Sequence, residues 1–126
     1  MNPLSFTFTL LALAASPAAA QVAGAWAVSG KIGDTPFTVD CRFEPRGAAF
    51  GGACIDASAG VSGVKPGKVH PLKTGSADGR QVRWVYEASF LMARFDVTYS
   101  GTLDADRMAG AVTAAGRKGE FTAIRK

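Results

Sequence analysis

Apolar and polar residues alternate one by one over long stretches of this chain. Phe37, Val39, Cys41 and Phe43 alternate with Thr38, Asp40, Arg42 and Glu44, the period of a strand with one buried face. The same pattern returns where Val82, Trp84, Tyr86, Ala88 and Phe90 alternate with Gln81, Arg83, Val85, Glu87 and Ser89. It returns again where Phe95, Val97, Tyr99 and Leu103 alternate with Arg94, Asp96, Thr98 and Ser100. A helical apolar period never persists, so the chain is read as all-β. Shorter strands are expected at Trp26 to Ser29, Ala49 to Ile55, Lys68 to Lys73, Met108 to Thr113 and Gly119 to Arg125. Turn-forming residues separate them at Gly33-Asp34, Pro45-Arg46-Gly47, Ala77-Asp78-Gly79, Asp104-Ala105-Asp106 and Gly116-Arg117. Eight strands with short turns and one apolar face each close most economically into an antiparallel up-and-down barrel. A sandwich of two sheets is the alternative.

Parity constrains the register, because opposed residues of an antiparallel pair share a face. A turn at Ala105-Asp106 sets Leu103 against Met108, Gly101 against Gly110 and Tyr99 against Val112. A turn at Gly116-Arg117 sets Val112 against Phe121 and points Arg125 to the interior side. The register that sets Phe43 against Gly52 and Pro45 against Phe50 also sets Cys41 against Cys54. With no other cysteines in the chain, a single disulfide is expected there if the compartment is oxidising.

The start of the chain indicates such a compartment. Met1 to Ala20 holds an apolar run from Phe6 to Ala14 and ends in Ala18-Ala19-Ala20, the pattern of a secretory signal peptide. Residues 1–20 are therefore expected to be removed and residues 21–126 to form a single barrel domain, exported, with the periplasm as the expected location. No apolar run is long enough for a spanning helix. All 15 glycines and every charge lie after residue 20, so the formal +4 belongs to the domain. The charges alternate in sign without a basic run, which argues against a nucleic-acid groove.

Gly24-Ala25-Trp26 at the start of the first strand, with Arg125 at the end of the last, resembles the calycin signature of lipocalins, fatty-acid-binding proteins and avidins. That resemblance implies a barrel sealed at one end by Trp26, with Arg125 across its indole in a cation–π contact. The chain lacks the several pocket tryptophans of avidins, so biotin is not expected. Gly24-Ala25-Trp26-Ala27-Val28-Ser29-Gly30 is also similar to periplasmic inhibitors of secreted bacterial metalloproteases, which are barrels of the same type.

Chemistry-bearing residues are sparse. His70 is the only histidine and, beside Pro71, is expected in a loop or at the surface. No catalytic triad, HExxH or paired-carboxylate spacing is found, so neither enzyme activity nor a metal or cofactor is expected. Aromatic residues and glycines share the interior parity. The barrel is therefore expected either to be filled or to hold one small guest. In the second case Phe43, Phe50, Trp84, Tyr86 and Tyr99 form the wall and Met92 the rim, and the protein binds a small apolar or amphipathic molecule. The alternative is an interaction module, most simply an inhibitor of a periplasmic protease or other hydrolase, acting through an exposed loop from Phe90 to Arg94. Phe90-Leu91-Met92-Ala93 lacks a turn former and is expected as a short helical segment or an exposed apolar loop. Ser58 to Gly67 is long and glycine-rich enough for a lid or portal.

Overall fold

The computed structural model describes residues 17–59 and 65–126. Met1 to Ser16, most of the expected signal peptide, and the middle of the expected lid lie outside the described residues. The described chain runs α1 (Pro17–Val22), β1 (Gly24–Ile32), β2 (Thr35–Arg46), β3 (Ala49–Ala59), β4 (Val69–Asp78), β5 (Gln81–Phe90), β6 (Ala93–Asp104), β7 (Arg107–Ala114) and β8 (Arg117–Arg125). Each strand pairs with the next, and β8 pairs antiparallel with β1, closing the barrel. The sandwich is thereby excluded. Closure satisfies the edge groups of both terminal strands.

The registers follow parity. Leu103, Gly101 and Tyr99 lie opposite Met108, Gly110 and Val112. Cys41 lies opposite Cys54, Phe43 opposite Gly52 and Pro45 opposite Phe50, and the two cysteines are joined in a disulfide. The last hairpin departs from expectation by two residues, with Val112 opposite Gly119 and Phe121 opposite Gly110. A shift of two leaves every side chain on its face. The observed register has a steric reason: it lays the Phe121 ring against Gly101, where a Cβ would stand 2.8 Å from Phe121 Cζ. Phe50 uses Gly75 in the same way, with ring carbons 2.7 Å from the position of a Cβ.

Phe90 to Ala93 forms no helical segment. Phe90 pairs with Ala93, which leaves only Leu91 and Met92 for the turn. Both adopt left-handed φ, 50° and 68°, as tight hairpins require. Glycine or asparagine occupies such positions with less strain.

One end of the barrel is closed by α1 and by the contact inferred from the calycin resemblance. Trp26 lies opposite Arg125, whose Cζ sits 4.3 Å from the ring centroid. Trp26 Nε1 donates to Val22 O at 2.8 Å. Arg125 donates to Ala23 O at 2.7 Å, to Gln21 O at 2.6 Å and to Asp106 Oδ1 at 2.9 Å. Helix α1 spans the expected cleavage point between Ala20 and Gln21, and Ala19 in its first half is buried. Every group that Trp26 and Arg125 hold at the N-terminus, from Gln21 to Ala23, lies after that point.

Two stability changes follow. Reducing the Cys41–Cys54 bridge, which closes a separation of 13 residues, lowers the unfolding free energy by about 3 kcal/mol in denaturant titrations with and without reductant. Arg125→Ala lowers it by about 1–3 kcal/mol, and Arg125→Lys recovers only part, because an ammonium cannot both stack and donate in three directions.

Candidate functional site

The two ends of the barrel are filled differently. Toward the α1 end, Phe43 packs between Phe50 and Trp84 with tilted rings, the centroids 4.9 and 5.1 Å apart. Trp84 lies parallel to Tyr99 at 4.6 Å, and Phe121 meets both edge-on, at 5.3 and 5.2 Å. This aromatic layer is solid, because Gly75 and Gly101 leave room for the rings of Phe50 and Phe121. Above it the barrel is hollow. A cavity of about 910 Å³ opens at the end formed by the β1–β2, β3–β4, β5–β6 and β7–β8 connections. Its walls are Ile32, Phe37 and Val39 on one side and Ala88, Phe95 and Val97 on the other. The volume lies in the range of small-molecule sites.

The expected wall is accordingly redrawn. Tyr86 and Tyr99 line the cavity, whereas Phe43, Phe50 and Trp84 lie in the layer beneath it. Met92 is not at the rim. It projects fully into solvent at the turn, and Phe90 and Leu91 border the mouth instead. The reason is axial: alternation says which side of a strand faces in, but not how far along the barrel the bulky residues fill it.

The floor is polar. Tyr86 and Tyr99 share a hydrogen bond of 2.8 Å between their hydroxyls. That bond uses one of two hydroxyl protons. Burial, the largest cause, pushes both phenols well above the usual tyrosine value, so both stay protonated. Beside them, His70 stacks on Tyr86 at 4.8 Å. Its Nδ1 lies 3.1 Å from Glu87 O and its Nε2 2.9 Å from Asp56 Oδ2. Both ring nitrogens thus face oxygens of the barrel wall. Trp84 Nε1, in the layer below, is buried without a hydrogen-bond partner among the described residues.

His70 is not the surface residue expected; it is buried inside the barrel, on β4 opposite Cys54. A signal for its partner was present in the sequence. Asp56 follows Cys54 by two residues, so the parity that turns the cysteine inward turns a carboxylate inward too. Nothing local indicated that His70 would meet it, because the long β3–β4 connection hides that register. Lys65, Lys68 and Arg117 complete the lining at the mouth.

No family model matches this chain, and no curated protein does. Among solved structures, it is similar to a redesigned β barrel, mFAP1, solved bound to DFHBI, with a TM-score of 0.65 at 14% sequence identity over 88% of this chain and 100% of that one. At such identity the likeness is one of fold.

The hydroxyl pair is open to a double-mutant test. Tyr86→Phe leaves the buried Tyr99 hydroxyl without its partner and destabilises by about 1–3 kcal/mol, and adding Tyr99→Phe recovers most of that loss. The raised phenols also set an alkaline limit. Because their folded pKa values exceed the unfolded value of about 10, their contribution is complete below that pH and declines as pH rises above it. Denaturant titrations across alkaline pH check this, and the double Phe variant shows a flatter decline.

Proposed function

We propose that this protein binds a small apolar or amphipathic molecule, held non-covalently in the open half of the barrel. We further propose that it is exported to the periplasm and acts as a carrier or sequestering protein, not as an enzyme. The observation that carries the reading is the cavity of about 910 Å³, walled by apolar side chains and floored by two neutral tyrosine hydroxyls. Apolar walls supply affinity without direction, and buried hydroxyls orient a guest that brings an acceptor. A barrel of similar fold solved bound to DFHBI supports this to the extent that such an architecture can house a small molecule. Export is supported by the Met1 to Ala20 pattern and by the disulfide. The alternative, a hydrolase inhibitor acting through an exposed loop, gives no role to the hollow half of the barrel.

The test is titration with an environment-sensitive apolar fluorophore such as N-phenyl-1-naphthylamine. It binds saturably at one site per chain. Ala88→Trp, which places an indole in the cavity, weakens binding at least about tenfold, equivalent to about 1.4 kcal/mol. Uptake that never saturates, or that is indifferent both to Ala88→Trp and to Tyr99→Ala, refutes the reading.

A further inference from the structure

Large apolar side chains are exposed at six described positions, Ile55, Val69, Phe90, Leu91, Met92 and Ile124. All but Ile124 lie in one sector of the open end. Ile55 and Val69 are directly paired across β3 and β4 on the outer face, since their neighbours Cys54 and His70 are buried inside. Lys68, at the start of that sector, bonds Ser89 Oγ at 3.1 Å, which ties it to the end of β5. There the hairpin tip carries Leu91 and Met92, 83% and 101% exposed. Contiguous exposed apolar surface of this kind marks an interaction site.

The charges around it identify the partner. Lys65, Lys68 and Arg117 border the mouth and make no ion pair among the described residues. Arg94 follows the tip and is paired with Glu87 at 3.8 Å, an exposed contact. The carboxylate in the cavity lining, Asp56, is held by His70. Of the acidic turn residues, Asp78, Asp104 and Asp106 are at the other end, and Asp34, in the β1–β2 turn, is at this one. An apolar tip beside four exposed cations is complementary to an anionic bilayer, whose headgroups take the cations while its acyl region takes the tip.

We propose that the open end of the barrel docks on an anionic phospholipid surface, with Leu91 and Met92 inserted and Lys65, Lys68, Arg94 and Arg117 at the headgroups. This inference rests on the exterior of the open end and stands independently of what the cavity holds. Docking in this orientation presents the mouth to the membrane, so a guest can pass between bilayer and barrel without crossing bulk water.

Cosedimentation of the processed protein, from Gln21 onward, with vesicles of phosphatidylcholine alone, or mixed with phosphatidylglycerol, tests it. The protein sediments with the mixed vesicles, is released as ionic strength rises, and stays in solution with phosphatidylcholine alone. Met92→Asp with Val69→Asp lowers partitioning at least about tenfold by removing buried apolar area. Leu91→Asn with Met92→Gly relieves the left-handed turn and raises the melting temperature, yet lowers partitioning, so loss of docking is separated from loss of folding. Failure to sediment with mixed vesicles, equal sedimentation with both kinds, or undiminished sedimentation of both variants overturns the proposal.

Discussion

Closure of the sheet between its first and last strands is the constraint on which the rest of this structure depends. It places Trp26 opposite Arg125 and so brings residues a full chain length apart into a stack of 4.3 Å. The guanidinium then spends its remaining donors on the carbonyls of Gln21 and Ala23 and on the Asp106 carboxylate. One side chain therefore fixes the N-terminal segment, the β6–β7 turn and the end of β8 together. With no sheet edge left unpaired, the strands need no charged or irregular edge to prevent association. The single disulfide adds to this on the neighbouring strands β2 and β3.

Closure makes an inside; side-chain size divides it. Toward the α1 end, aromatic rings from β2, β3, β5, β6 and β8 meet over glycines and fill the cross-section. Toward the other end, Val39, Ala88, Val97 and Ala114 stand among the walls with the larger Phe37 and Phe95, and a cavity is left between them. An eight-stranded barrel is just wide enough either to be filled by side chains or to hold one small guest. The hollow and the filled readings of the interior are both realised, in separate halves.

At the boundary between the halves lie the polar groups that an apolar interior tolerates only when paired. Tyr86 bonds Tyr99, and His70 bonds Asp56 and the Glu87 carbonyl. These contacts give the floor a direction, while the mouth above is basic and the adjoining hairpin apolar. A guest entering the barrel thus meets charge first, apolar walls second and neutral hydroxyls last.

The residue pattern by itself determined the class of fold, the strand faces and the Cys41–Cys54 pairing. Each of these follows from period-two alternation and short turns, which act over a few residues and leave few choices of register. Even the two-residue error in the last hairpin kept every side chain on its own face. Tertiary structure alone decided where along the axis the interior is filled. It also decided that Trp84, Phe43 and Phe50 lie beneath the cavity while Tyr86 and Tyr99 line it, and that His70 turns inward to Asp56. Those outcomes depend on strand tilt and stagger around the closed barrel and on a register across the long β3–β4 connection. Both are set by packing between strands, not by anything a single strand carries in its sequence.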